Sequence, residues 1–173
     1  VMDKFPIDTE SERGKYDSLK ENLFNGSISL EEVRDKLMEW DQVTSARDAS
    51  VENLAFLHDP QIIEYIKQHP EAREGYHNFL SFTEFHVAQR LASSNSIDAI
   101  EHFRKALENA RIGLSDESWA AYVEGSLLYM EGKEIPEELI EKVGSSRNAQ
   151  ILRNLNEGLR ERGTVSYMED YSK

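Results

Sequence analysis

The chain has 173 residues, with 33 acidic side chains against 20 basic ones, a formal net charge of -13 and a hydrophobic fraction of 39%. These values fit a soluble globular domain and exclude disorder throughout, because enough apolar residues are present to build a core. The absence of cysteine excludes disulfides, thiolate nucleophiles and cysteine-based zinc sites. No apolar stretch is long enough to span a bilayer and the start lacks a signal-peptide core, so we expect a cytoplasmic protein that binds no membrane.

Apolar residues at helical spacing predict four helices in the first part of the chain, and no segment shows the alternation of a strand. Ser29 and Glu32 form a capping box at the start of the second helix. Asp59 supplies an N-cap for the fourth, with Pro60 at its first helical position. The four predicted segments run from Thr9 to Phe24, from Ser29 to about Ala46, from Val51 to Leu57 and from Pro60 to Pro70.

The second part of the chain predicts five further helices, punctuated by serine, glycine and proline. Ser115 is the predicted cap of the third of these, with Asp116 and Glu117 in its first turn. We expect residues 164–173 to be a frayed tail, the alternative being a strap laid on the body. The five predicted segments run from Glu71 to Ser93, from Ser96 to Gly113, from Ser115 to Met130, from Pro136 to Gly144 and from Ala149 to Gly163.

The loops between these helices are short, and short loops make consecutive helices antiparallel neighbours. The sequence therefore predicts an all-α fold of stacked antiparallel helical hairpins, the alternative being an irregular helical bundle. We expect residues 1–173 to form a single all-helical domain. Within it, residues 1–70 supply N-terminal helices of unassigned type, residues 71–163 supply the hairpins and residues 164–173 a C-terminal tail.

Small residues in these hairpins follow the spacing of a known helical repeat. Ala99 and Phe103 form an Ala-x3-Phe element near the middle of a predicted helix. In this respect residues 84–110 resemble a tetratricopeptide repeat, and weaker, irregularly spaced matches extend the resemblance over residues 84–163. Glu84 departs from it, because that family has a tryptophan at this position. The resemblance implies a right-handed array of helical hairpins whose concave face binds a protein segment.

The resemblance also implies which side chains line that concave face. They come from two consecutive hairpins, are mostly aromatic and include no basic residue. Tyrosine and tryptophan suit binding surfaces because they bring a large contact area with few rotatable bonds. The alternative is that the rings pack against the N-terminal helices, which would fill the groove. The predicted partner-binding groove consists of Phe82, Phe85, His86, Gln89, Trp119, Tyr122, Ser126 and Tyr129.

Motifs of the common catalytic chemistries are missing from the sequence. It contains no glycine-rich phosphate loop, no Gly-x-Ser-x-Gly elbow and no dinucleotide fingerprint. Glu74 and His77 share the Glu-x-x-His spacing of carboxylate metal sites, but such sites need two copies and the chain has one. We therefore predict no enzyme, no catalytic residue, no cofactor and no metal site. A composite site assembled from distant carboxylates and His86 is the alternative.

Charge is distributed in a way that bears on the partner. Acidic residues outnumber basic ones in each third of the chain, and the Lys and Arg clusters that bind phosphate backbones are absent, so we expect no direct contact with nucleic acid. Acids predominate from Asp116 to Glu141, whereas arginines predominate in the last strong helix. Opposite charges on neighbouring helices would register the stack or, alternatively, drive homo-oligomerisation.

We predict a non-enzymatic interaction module that binds a protein or peptide partner through a helical-repeat concave face. The first alternative is an acidic antagonist or nucleic-acid mimic that docks on a basic partner. The second alternative is a helical enzyme with a composite site. Salt separates the first two, because an apolar groove binds almost independently of ionic strength whereas an acidic mimic loses affinity as salt rises.

Overall fold

A computed structural model of the chain describes residues 9–43 and 49–173, and the side chains of residues 14–40 and 50–173. The described ranges contain helices and no strand, which confirms the predicted all-α fold. A 3₁₀ turn, Pro70–Ala72, precedes the fifth helix. The helices are α1 Thr9–Phe24, α2 Leu30–Val43, α3 Ala49–Leu57, α4 Pro60–Gln68, α5 Arg73–Leu91, α6 Ser96–Ile112, α7 Glu117–Met130, α8 Glu137–Glu141, α9 Ser146–Arg162 and α10 Tyr167–Tyr171.

Local capping explains where several helices begin and end. The Ser29 hydroxyl accepts a hydrogen bond from the Glu32 backbone N–H at 3.1 Å, while the Glu32 carboxylate accepts one from the Ser29 N–H at 3.1 Å. This reciprocal pair is the predicted capping box of α2. Asp59 caps α4 by accepting from the Gln61 N–H at 2.8 Å. The predicted end of α2 near Ala46 lies outside the described residues.

Two predicted helix boundaries are wrong. Asp116, not Ser115, is the N-cap of α7, and its carboxylate accepts from the Ser118 N–H at 2.8 Å. The Ser115 hydroxyl instead donates to the side-chain oxygen of Asn78 on α5, a contact that only the tertiary structure provides. Helix α8 ends at Glu141 rather than continuing toward Gly144, whose N–H donates to the Ser118 hydroxyl at 2.7 Å.

The chain, expected to form one domain, divides into two compact units, Val1–Gly75 and Tyr76–Lys173. In the N-terminal unit α1 packs against α2, α2 against α3 and α3 against α4. Buried Asn53 links three of them, because it accepts from the Tyr16 hydroxyl at 2.8 Å and donates to the Leu37 carbonyl at 3.0 Å. The buried apolar residues of these helices are Leu19, Leu23, Val33, Leu37, Leu54, Phe56, Leu57, Ile62 and Ile66.

The C-terminal unit is built by close approach of helices with small residues at their contacts. On α6, Ala99, Ala106 and Ala110 are buried together with Phe103 and Leu107, whereas Ile97 at the start of the same helix is 79% exposed. On α7, a Cβ added at Gly125 would lie 2.9 Å from the Leu152 Cδ1 of α9, closer than side chains normally approach. Helix α7 therefore packs against α9 through a backbone position that has no side chain.

A buried amide fixes the segment between α7 and α8. Asn156 on α9 accepts from the Ile135 N–H at 2.7 Å and donates to the Ile135 carbonyl at 2.9 Å. Ile135 itself is 2% exposed, so water cannot replace either hydrogen bond. The side chain of Asn156 thereby pairs two backbone groups that would otherwise be buried without partners.

We expect Asn156→Ala to lower the free energy of unfolding of the C-terminal unit by about 3 kcal/mol, because two buried backbone groups lose their partners. The control is Glu157→Ala, which changes an exposed residue of the same helix, with an expected loss below about 0.5 kcal/mol. The measurement is urea unfolding monitored through the fluorescence of Trp119, with the other tryptophan removed by Trp40→Phe. Equal losses in both variants would contradict the role assigned to Asn156.

Candidate functional site

The structure brings the predicted groove residues together on α5 and α7 of the C-terminal unit. The ring of Phe82 lies 4.8 Å from that of Trp119 and 4.9 Å from that of His86, measured between centroids. The ring of Phe85 lies 5.1 Å from Trp119 and 5.3 Å from Tyr122. These five rings, Phe82, Phe85, His86, Trp119 and Tyr122, are the aromatic cluster.

Hydrogen bonds hold Trp119 in a defined orientation within the aromatic cluster. Its indole N–H donates to the Ser81 hydroxyl at 2.9 Å, and that hydroxyl donates to the Ala106 carbonyl at 2.6 Å. Ser81 is fully buried, so the chain from indole to α6 backbone is shielded from water. Trp119 is therefore a rigid, half-buried side chain rather than one that samples many rotamers.

Solvent reaches only half of the predicted groove. Four of the eight residues are half-buried and keep part of their surface exposed: Phe82, His86, Gln89 and Trp119. The other four are core residues with 0 to 4% of their surface exposed: Phe85, Tyr122, Ser126 and Tyr129. The eight residues therefore do not line one open groove, and the C-terminal helix α10 covers part of it.

The expectation that residues 164–173 form a frayed tail is wrong. They form the alternative, a strap that packs on the body of the C-terminal unit. Helix α10 packs against α9, and its Tyr167 is 1% exposed. The Gln89 side chain donates to the Tyr167 hydroxyl at 3.0 Å. Burial raises the pKa of Tyr167, and the nearby Gln89 and Ser126 side chains partly offset that rise. Three groove residues, Gln89, Ser126 and Tyr129, thus face the C-terminal helix of the same chain.

Asp170 anchors this strap although its carboxylate is completely buried. The Tyr129 hydroxyl donates to its Oδ2 at 2.5 Å, and the Arg162 guanidinium donates to the same oxygen. Gly158 on α9 makes room, because a Cβ there would overlap the carboxylate. Burial alone raises the pKa of Asp170, but Arg162 and Tyr129 more than offset it, so the pKa lies below its usual value.

Tyr122, Tyr129 and Tyr167 keep their hydroxyl protons at physiological pH. Burial, followed by the hydrogen bond to Asp170, raises the pKa of Tyr129 to about 12. Burial also raises the pKa of Tyr122 and of Tyr167. Burial dominates the upward pKa shift of Tyr122, and the neighbouring Tyr171 adds to it. We define the α10 site by the body residues that receive α10: Gln89, Tyr122, Ser126, Tyr129, Gly158 and Arg162.

A second buried carboxylate was not predicted. Glu84, 2% exposed, lies on the α5 face that packs against α6, and its Oε1 is 2.5 Å from the Nδ1 of His102. It stands where the resembled repeat has a tryptophan, so an ionisable pair replaces an apolar contact between the two helices. The sequence signal was the single acid among the buried positions of α5.

An open recess of about 280 Å³ is present on the N-terminal unit. The rings of Phe24 and Tyr65 stack there at 5.7 Å, and those of Tyr65 and His69 at 4.0 Å. Its polar groups are two amides, one carboxylate, the Tyr65 hydroxyl and the His69 imidazole, whose Nδ1 lies 2.8 Å from the Tyr65 carbonyl oxygen. The lining consists of Phe24, Gln61, Glu64, Tyr65, Gln68 and His69.

Among the described residues, no group of three or more His, Asp or Glu side chains has the geometry to hold a metal ion. None of the described helices is both long and apolar enough to cross a membrane. No family model, curated protein or solved structure matches the chain at a significant level. The residues themselves therefore supply the argument for function.

We expect docking of α10 to be independent of pH from neutral down to about pH 4 and to weaken below it. The free Asp170 carboxyl binds a proton near its ordinary pKa of about 3.9, whereas the docked carboxyl, with its lowered pKa, resists protonation. The weakening should stop once the pH falls below the lowered pKa. The measurement is the amide chemical shifts of α10 in NMR spectra between neutral and acid pH.

The matched control is Asp170→Asn, which keeps the size of the side chain and removes its titration. This variant should dock more weakly at neutral pH and show no Asp170-dependent loss in acid. A pH profile of α10 identical to that of the wild-type chain would show that another carboxyl controls docking.

Proposed function

We propose that the chain is a non-enzymatic interaction module and that the C-terminal unit binds a protein segment on the face formed by α5 and α7. The observation that carries this proposal is the aromatic cluster, whose half-buried Phe82 and Trp119 are in ring contact and partly open to solvent. Trp119 is held by hydrogen bonds before any partner arrives. Little conformational entropy is then lost on binding.

The composition of this face favours an apolar or aromatic segment as partner. Phe82, His86 and Trp119 offer large rings and one imidazole, and the predicted groove contains no Lys or Arg. The groove residues themselves therefore supply no Lys or Arg for a partner's carboxylate. We therefore assign to this face partners that bury aromatic or aliphatic side chains, with the surrounding polar residues excluding water.

The tetratricopeptide-like arrangement stays part of this proposal. Support comes from the buried alanine stripe of α6 and from the close contact of α7 with α9 at Gly125. The departure at Glu84, which pairs with His102, counts against a regular repeat. An irregular array of helical hairpins presenting one aromatic face meets the needs of the proposed function equally well.

An acidic antagonist remains the alternative, and ion pairs within the chain weigh against it. Arg153 on α9 donates to Glu137 at 2.7 Å, and Arg160 pairs with Glu134. The acids of the segment from Asp116 to Glu141 are thus partly neutralised by the arginines of the last strong helix. Such half-exposed pairs are worth only about 0 to 1 kcal/mol each, so they register helices more than they stabilise them.

The test is to select helical peptides from a displayed library against the full chain and to measure their affinities at low and high salt. We expect a change below about threefold between roughly 50 and 500 mM salt, because apolar contacts dominate. Trp119→Ala should weaken binding by at least about tenfold, as the loss of a central aromatic residue does. The measurement is fluorescence anisotropy of the labelled peptide.

The matched control is Ile97→Ala, which removes an apolar side chain that is 79% exposed and lies outside the aromatic cluster. This variant should bind the selected peptides as tightly as the wild type. A steep loss of affinity with salt, together with indifference to Trp119→Ala, would favour the acidic antagonist and end the groove proposal.

A further inference from the structure

Helix α10 has the features of a ligand tethered to its own site. It is five residues long, and its residues at spacing i, i+3 and i+4, Tyr167, Asp170 and Tyr171, face the body. Met168 and Glu169 between them are exposed. A helix this short has no independent stability in water, so it exists only because it is docked.

The link between α9 and α10 makes α10 a helix of its own rather than the last turns of α9. Gly163 ends α9 in the left-handed conformation with φ of 71°, and Thr164 after it is exposed. The chain turns sharply there, so α10 is not a continuation of α9. The tether keeps α10 at a high effective concentration beside its site, which favours docking without any additional contact.

The α10 site is shaped for a carboxylate between two aromatic rings. Gly158 provides the space for the carboxylate, while Arg162 and the Tyr129 hydroxyl supply its donors. The ring of Tyr167 lies 6.0 Å from that of Phe103 and 6.1 Å from that of Tyr129. Recognition therefore requires an aromatic side chain, then an acid three positions later.

The fit of α10 in its site is incomplete. Within the described part of the chain, the buried Arg162 Nε and the buried Asp170 Oδ1 have no hydrogen-bond partner, although the Lys173 Nζ lies 3.8 Å from that oxygen. The carboxylate and the guanidinium could form two parallel hydrogen bonds, but here a single oxygen, Oδ2, receives both donors. A segment whose carboxylate pairs in both places would bind this site better than α10 does.

We propose that the α10 site is a docking site for a short helix of the pattern Tyr-x-x-Asp-Tyr, and that α10 is its intramolecular occupant, displaced when a partner presents that chemistry. This rests on the proposed function, since it names the class of segment that the C-terminal unit binds. The partner is an amphipathic helix with two tyrosines and one acid on a single face. A bound partner would leave α10 free in solution.

The test uses the full chain and a fluorescein-labelled peptide of residues 164–173. Tyr167→Ala with Asp170→Ala weakens the chain's own α10 but leaves the α10 site intact. We expect this double variant to bind the peptide at least about tenfold more tightly than the wild type, whose site is occupied. A peptide carrying Asp170→Ala should bind neither protein.

The Gly158→Ala variant tests whether an empty α10 site is enough for peptide binding, because it should release α10 and also block the site. A Cβ at this position excludes the Asp170 carboxylate, so α10 should undock while the peptide still fails to bind. The matched control is Gly75→Ala, where an added Cβ meets no atom within 4 Å and binding should equal that of the wild type. Tight peptide binding to Gly158→Ala would overturn the proposal.

Should the double variant lose its helical circular dichroism, the wild-type sequence is used with a protease site inserted between Gly163 and Thr164. After cleavage, exchange of the released segment for labelled peptide supports the proposal, and failure to exchange overturns it. If selected library peptides bind with dependence on Trp119 while the 164–173 peptide binds no variant, this inference alone fails. If neither kind of peptide binds, the proposed function fails with it.

Discussion

The C-terminal unit depends on backbone positions that carry no side chain. Gly125 lets α7 approach the Leu152 methyls of α9, and Gly158 lets the Asp170 carboxylate lie directly on α9. Neither contact survives the addition of one carbon atom without movement of a neighbour. The second contact allows α10 to lie against α9, beside the buried groove residues Ser126 and Tyr129.

Much of the fold could be predicted from the sequence, because helix ends depend on residues close along the chain. The capping box of Ser29 and the Asp59-Pro60 start need only a few consecutive residues. The cap of α7 could not be predicted, since Ser115 and Asp116 both qualify locally. What decides between them is Asn78, 37 residues away, which engages the Ser115 hydroxyl.

The candidate site was predicted only in part, for a related reason. The resemblance implied eight side chains on one face, and the ring distances show that Phe82, Phe85, Trp119 and Tyr122 among them do meet. Their burial could not be predicted, because the residue that draws α10 inward is Asp170, an acid, and hydropathy assigns acids to solvent. Its burial becomes favourable only through Arg162 and Tyr129, which lie on α9 and α7.

The two faces of the C-terminal unit select by different physics, and this limits what each can bind. The aromatic cluster contains no Lys or Arg, and it selects partners by the apolar surface area that they bury on its rings. The α10 site offers the half-buried guanidinium of Arg162, which pairs with Asp170 and Glu169, beside tyrosines whose raised pKa values keep them neutral. Arg162 pairs with the Asp170 carboxylate of α10 in a chain that is acidic overall. A competing segment must therefore present a carboxylate at the same position.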